Sequence, residues 1–206
     1  MRRAAVGLFV VLWVTAMCSY PGWTQMDANT HGHDWWRNFL CDLLASETPD
    51  GRTNLIGSIA MTVSVVVVIF GGLLRLWWNV DASRPRLMIA RIAAVSAILL
   101  TLGICAEQAI GLDLPHGVLA LAAGGVGLVP TAMVMLRDWR RADCTRLRRF
   151  AIVGLGVSAV TNFVSYTMVQ LGGELTPVVP TAQKFSILFL LLWLWLYDES
   201  NTTQTC

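Results

Sequence analysis

Charged residues are scarce in this chain. They make up 14% of its 206 residues, whereas soluble domains contain about 25%. Hydrophobic residues make up 55%, which places the chain outside the usual range of soluble globular proteins. It has no low-complexity stretch and no long polar segment that would form a second domain. We therefore expect a single transmembrane domain covering residues 1–206.

Motifs of catalysis are also missing. The sequence contains no Gly-x-Ser-x-Gly turn for a nucleophile and no pair of histidines four residues apart. The five cysteines follow no zinc or redox spacing. We expect them to be free and packed as small apolar groups; the alternative is a disulfide involving Cys41 in an oxidising compartment. We therefore favour a protein without enzymatic activity and without a cofactor; the alternative cofactor is zinc.

The chain does contain six apolar runs, most of them close to the roughly 20 residues that cross a bilayer core as a helix. They cover residues 4–20, 55–77, 89–110, 117–136, 150–171 and 178–197. Helices are required because lipid offers the backbone no hydrogen-bond partner. The predicted fold is therefore an all-α polytopic bundle of six transmembrane helices.

Arginines fall almost entirely on alternate sides of these runs, although the net charge is only +2. Short cytoplasmic loops carry the excess of Lys and Arg, so we expect both termini to be cytoplasmic. The opposite, outer side holds only Arg37, Arg52 and Lys184. The basic connection at residues 137–149 is expected to meet anionic lipid rather than nucleic acid. The basic side carries Arg2, Arg3, Arg75, Arg84, Arg86, Arg91, Arg137, Arg140, Arg141, Arg146, Arg148 and Arg149.

The first run has a second interpretation as a signal peptide, because Arg2 and Arg3 precede a short apolar stretch. No small-x-small cleavage site follows it, and Met17 stands just before Cys18. We therefore favour an uncleaved helix.

The long connection at residues 21–54 lies on the outer side. Within it, residues 34–44 have a helical period that separates apolar from polar side chains, and Asp34 is placed to cap the helix. We expect an amphipathic helix lying at the interface. Its polar face, with Asn38 and Asp42 one turn apart, points either into the mouth of the bundle or to solvent. We favour solvent.

Ionisable residues inside a membrane are costly unless they are paired. Glu107 in the third run and Lys184 in the sixth carry opposite charges at similar depth, so we predict an ion pair between them. It either braces the bundle or belongs to a functional site; the alternative is that Lys184 extends outward to the membrane interface. The fifth run carries a polar stripe, which must face another helix or a wet cavity: Ser158, Thr161, Asn162, Ser165 and Tyr166.

All three histidines are expected on the outer side, near several carboxylates. These residue types bind zinc, but their spacing is not that of a zinc motif. We favour solvated loop histidines and an interfacial His116 over a metal site. The residues that would hold a metal are His31, His33, Asp42, Glu107, Asp113 and His116.

Four short motifs, at residues 36–43, 49–54, 113–117 and 180–184, resemble those of an uncharacterised bacterial family of six-helix membrane proteins. The layout is also similar to that of the DRAM and Sfk type of lipid-associated membrane proteins. The resemblance implies a location in the bacterial inner membrane. It further implies one outer site that contains Asn38, Asp42, His116, Gln183 and Lys184.

The leading hypothesis is a membrane protein whose outer polar cavity binds a lipid headgroup or a small polar ligand, with membrane lipids as its partners. One alternative is a metal-dependent intramembrane hydrolase of a lipid, in which His116 and Asp42 hold the metal or act as a base pair. A second alternative is an ion-coupled or proton-coupled transporter. The candidate binding residues are Asn38, Asp42, Glu107, His116, Asn162, Gln183 and Lys184.

Overall fold

Six long helices make up most of the protein, whose computed structural model describes residues 2–78, 83–110 and 116–197. All six are long and apolar enough to cross a membrane. Within the described ranges there is no strand, only two isolated β-bridges. The prediction of an all-α bundle of six membrane-spanning helices is confirmed. The helices are α1 (Arg2–Ser19), α2 (Leu55–Trp78), α3 (Arg84–Ile110), α4 (His116–Trp139), α5 (Arg146–Gln170) and α6 (Val178–Leu196).

Large apolar side chains cover the outside of the bundle. Ile56, Leu99 and Val157 are 66%, 64% and 63% exposed. Such a surface is unfavourable in water but matches the hydrocarbon of a bilayer, where contiguous apolar patches are expected. The described helices therefore have the surface of a membrane protein.

The helices pack mainly as three hairpins, α1 with α2, α3 with α4, and α5 with α6, whereas α4 and α5 touch each other much less. Aromatic residues fill the centre, including Phe9 and Trp13 of α1 and Trp193 of α6. One turn of α2, Ile69–Leu73, is a π-helix. Such turns often occur beside functional sites, and this one lies against the interior cavity described below.

A buried ion pair joins the ends of three helices on the basic side. Asp138 of α4 and Arg148 of α5 form the pair, and Trp193 of α6 donates from Nε1 to Asp138 Oδ2 over 3.0 Å. Asp138 is fully buried and Arg148 is 3% exposed. At the same end, Arg2 donates from Nε to the Leu194 carbonyl over 3.0 Å. The first and last helices therefore meet at the side where the arginines cluster.

The outer segment, residues 21–54, differs from its prediction. Instead of one amphipathic helix over residues 34–44, it contains turns and a short 3-10 helix, Cys41–Leu43. Side chains take up backbone groups that a continuous α-helix would pair internally: Asp42 Oδ2 accepts from Phe39 N–H and Gln183 Oε1 accepts from Leu40 N–H, both at 2.8 Å. The apolar period is real, because Phe39, Leu40, Leu43 and Leu44 are all buried. These apolar side chains pack a compact segment onto the bundle; they do not form one face of a helix lying in the membrane interface.

Candidate functional site

Asn38 organises the outer segment. Its side chain is completely buried and makes three hydrogen bonds: Oδ1 accepts from Asp34 N–H at 2.8 Å, and Nδ2 donates to Trp23 O at 2.8 Å and to Asp42 Oδ2 at 2.9 Å. The expectation that Asn38 faces solvent is therefore wrong. Its amide can satisfy both backbone and carboxylate groups, and this favours burial.

Lys184 and Gln183 hold the outer segment on the beginning of α6. Lys184 is completely buried, and its Nζ donates to the main-chain carbonyl of Asn38. The same ammonium lies 5.6 Å from the centre of the Trp35 ring, within the range of a cation–π contact. With the Gln183 bond to Leu40, two consecutive side chains of one helix bind the main chain of one loop.

Asp42 lies at the junction of this network with a cavity. Its Oδ2 accepts the bonds from Asn38 and Phe39, while no described residue donates to Oδ1. Burial raises the pKa of Asp42 to about 6, against the hydrogen bonds that favour its charged form. The carboxylate is thus half-buried, only partly compensated, and open to a ligand on one side.

The predicted ion pair between Glu107 and Lys184 is wrong. Glu107 Oε2 instead lies 2.7 Å from His116 Nδ1 and accepts from Gln108 Nε2 at 2.6 Å. The two residues are at similar depth, but α3 packs against α4 and α6 against α5, while the outer segment supplies Asn38 to Lys184. Similar predicted positions along two membrane-spanning helices do not make residues neighbours when the helices do not pack against each other.

A polar cavity of about 400 Å³ lies under the outer segment. Its wall includes the Asp42 carboxylate, the His116 ring and four aromatic side chains, Tyr20, Trp23, Phe39 and Tyr166. Trp23 has a φ of 78°, a conformation that side-chain-bearing residues rarely adopt. The Asn38 bond to its carbonyl helps to hold this strained residue at the cavity wall. The remaining lining residues are Gln25, Cys41, Ala45, Glu47, Thr48, Pro49, Gln108, Val169 and Gln170.

A second, apolar cavity of about 360 Å³ runs into the bundle. On α4 its lining reaches from His116 to Thr131, which at 1.5 Å per residue corresponds to about 22 Å along the helix. Asn162 is one of its few polar residues, and no hydrogen bond to its side chain is present among the described residues. Gly124 also lines it, and a Cβ at that position would meet nothing within 4 Å. The hydrocarbon core of a bilayer is about 30 Å thick, and one lipid chain spans half of it. The lining of the cavity is therefore long enough for a lipid chain.

The two cavities are adjacent. Phe39, Cys41, His116 and Tyr166 line both of them, and Phe39 packs edge-on against Tyr166 with ring centres 5.9 Å apart. A polar chamber under the outer segment and an apolar one within the bundle are therefore next to each other and share these four residues.

No family model matches the chain, and neither the curated proteins nor the solved structures contain a match. The resemblance to the bacterial six-helix family and to the DRAM and Sfk type therefore stays a prediction. What the site can do must be read from its own residues.

Six of the seven predicted binding residues fall into two groups, and the seventh, Asn162, lies apart from both in the wall of the apolar cavity. Asn38, Asp42, Gln183 and Lys184 form one connected network around the outer segment, whereas Glu107 and His116 form a separate pair. Lys184 lines neither cavity, so its role is to position the outer segment.

The candidate metal ligands named from the sequence do not converge among the described residues. Within the three described ranges, no group of three His, Cys, Asp or Glu side chains is placed to hold a metal ion. His31 is exposed, while His33 packs edge-on against the Tyr20 ring at 6.1 Å. Asp113 lies outside the described residues. The four described cysteines are free.

Sequence reasoning missed three cavity residues, Tyr20, Trp23 and Glu47. Their only signal was position, since they flank or belong to an outer connection rich in aromatic and turn residues. Nothing in their spacing predicts that residues 20–25 fold back over residues 38–42.

Proposed function

We propose that this multi-pass membrane protein binds a lipid or lipid-like amphiphile, with the polar head in the polar cavity and the chain in the apolar cavity. One observation carries the proposal: the two cavities share the four lining residues Phe39, Cys41, His116 and Tyr166. A ligand pocket normally combines an apolar wall with a few convergent polar groups. Here the two are separated along the membrane normal, as they are in an amphiphile.

The membrane orientation in this proposal places the outer segment on the extracytoplasmic face of a bacterial inner membrane. It is supported by the arginine side of the bundle, where Arg2 meets the end of α6. Short cytoplasmic loops carry such an excess of positive charge. The ligand is then taken from the outer leaflet.

Native mass spectrometry after release from detergent tests the binding. The wild-type protein should carry a lipid-sized mass. Gly124→Leu should lose it, because a side chain there fills open space in the wall of the apolar cavity without a backbone clash. Gly156→Leu is the matched control, since Gly156 also has nothing within 4 Å but lines neither cavity. A wild-type protein without bound lipid, or equal retention by both variants, would contradict the proposal.

A metal-free lipid hydrolase is the second candidate, because the Glu107 carboxylate holds Nδ1 of His116 at the junction of the cavities. A carboxylate that orients a histidine is a common base arrangement. The available nucleophile is poor, however: burial and the Asp42 carboxylate raise the pKa of the Cys41 thiol, which disfavours the reactive thiolate. The test is release of fatty acid from phospholipid vesicles. Release by the wild type that is abolished in His116→Gln would favour the hydrolase over simple binding.

A further inference from the structure

The charge of the polar cavity restricts the head that can enter it. Asp42 and Glu47 contribute carboxylates to its wall, and among the residues that the structure describes no lysine or arginine lines it. Arg52 is engaged with Asp50 at 2.5 Å and Lys184 with the Asn38 carbonyl, while the His116 ring in the wall lies 2.7 Å from the Glu107 carboxylate. An anionic head would therefore face two carboxylates without an unengaged cation among the described lining residues to offset them, which is unfavourable in a partly buried site.

The aromatic residues of the same wall favour a cation. Tyr20, Trp23, Phe39 and Tyr166 all line the cavity together with Asp42. The faces of aromatic rings attract an ammonium group, and cages of such rings are used to bind quaternary ammonium ligands. Asp42 Oδ1, to which no residue of the described part of the chain donates, supplies the counter-charge that such a cage needs.

The shape of the apolar cavity restricts the rest of the ligand. Its lining spans about 22 Å along α4, and its volume is about 360 Å³. These dimensions accommodate one extended hydrocarbon chain. Two of the four residues shared by the cavities, Phe39 and Tyr166, also belong to the aromatic wall.

We infer that the ligand is an amphiphile with an ammonium head and a single long hydrocarbon chain, whose head is bound by Asp42 and the four aromatic side chains. This inference rests on the proposed function and specifies its ligand class. The ammonium lies against Asp42 Oδ1, and the chain descends past Tyr166 towards Asn162.

The experiment compares three probes with the same chain: hexadecyltrimethylammonium, hexadecyl phosphate and hexadecyl maltoside. The protein is purified in a sterol-based detergent, incubated with each probe at equal mole fraction, and analysed by native mass spectrometry. We expect the ammonium probe to be retained at least about tenfold more than the phosphate probe, given the size of cation–π and ion-pair effects in a desolvated site.

Two variants locate the binding group. Asp42→Asn should remove the preference for the ammonium probe, and Glu47→Gln, an exposed position of the same wall, should reduce it by a few fold without loss of the fold. Glu174→Gln is the control, because Glu174 is an exposed carboxylate that lines neither cavity. If Asp42→Asn does not fold, the ammonium assignment is still tested by the Glu47→Gln variant and by the order in which the wild-type protein retains the three probes.

The outcomes separate the two proposals. Retention of the phosphate or maltoside probe as strongly as the ammonium probe, or an unchanged preference in Asp42→Asn and Glu47→Gln, overturns the ammonium assignment and leaves amphiphile binding intact. Retention of none of the three probes overturns amphiphile binding itself. An ammonium preference lost in the cavity variants and kept in Glu174→Gln supports both.

Discussion

Lys184 is the only lysine of the chain, and it is completely buried in a membrane-spanning helix. A buried cation is stable only where a strong acceptor and a polarisable surface replace water. The Asn38 carbonyl and the Trp35 ring provide them. The side chain thus connects α6 to the outer segment, and its charge is not available to a ligand.

Replacing Lys184 with Met should loosen the outer segment. The Asn38 carbonyl then lacks its charged donor, at a cost of about 2 kcal/mol, or a fall in Tm of about 6 °C for a chain of this size. Hydrogen exchange over residues 34–44 measures the loosening. Arg37→Met is the matched control, because Arg37 is an exposed cation of the same segment whose ion pairs are long, 3.6 and 3.9 Å. Equal exchange in the two variants would show that Lys184 does not hold the segment.

Asp42 and His33 make the stability of the outer segment depend on pH in opposite directions. Burial raises the pKa of Asp42 from 3.8 to about 6 and lowers that of His33 from 6.5 to about 4, the latter with help from Lys184. Between pH 4 and 6 the folded state holds more protons than the unfolded state at Asp42 and fewer at His33. The Asp42 contribution therefore falls as pH rises, while the His33 contribution rises.

Single variants should expose each slope. In Asp42→Asn the free energy of unfolding should rise between pH 4 and 6 relative to wild type, and in His33→Gln it should fall. Thermal unfolding in detergent at several pH values, measured for all three proteins, gives the slopes. Parallel curves for the three proteins would mean that neither group changes its protonation on folding.

At the scale of the elements, hydropathy located all six helices because each buries its own backbone hydrogen bonds and needs no information from elsewhere. The outer segment is different. Its conformation depends on Gln183 and Lys184, which lie more than 140 residues away along the chain and bind the backbone of Leu40 and Asn38. A helical period cannot report bonds of this kind. For that reason the burial of Phe39, Leu40, Leu43 and Leu44 was predicted correctly, while the helix and the exposure of Asn38 were not.

The contact between α1 and α2 depends on a glycine in the π-helical turn. A Cβ at Gly71 would lie 2.7 Å from Ala5 Cβ, and neither group can rotate away. Gly71→Ala should therefore force the helices apart and cost about 1–3 kcal/mol, measured as a lower Tm. Gly7→Ala on α1 is the control, because Gly7 has nothing within 4 Å. Equal Tm values for the two variants would contradict this packing.

At the scale of the whole molecule, the basic end is closed by the buried pair of Asp138 and Arg148 with Trp193. The sequence predicted Arg148 only as part of a topology signal, since charge counts do not distinguish a buried arginine from an exposed one. Asn38 and Asp42 were likewise identified as a pair, but their inward orientation follows from a fold-back of the chain that no local pattern specifies.

Removing one partner of this pair should destabilise the whole bundle. Asp138→Asn leaves the Arg148 charge buried and weakly paired, which typically costs about 3–5 kcal/mol. Asp143→Asn is the control, since Asp143 also contacts Arg148 but its side chain is 34% exposed. Unfolding in detergent should show a large loss for the first variant and a small one for the second. Comparable losses would mean that the buried pair contributes no more to the free energy of unfolding than the exposed one.

The attachment of the outer segment determines which of its side chains can be substituted without loss of the fold. Gln183 and Lys184 bind main-chain groups of residues 38 and 40, and every residue except proline has the N–H that Gln183 requires. The side chain of Cys41, which lines both cavities, makes none of these bonds. It can be exchanged to suit a different ligand while Gln183 and Lys184 keep their hold on the main chain, so this part of the cavity wall is free to vary without loss of the attachment.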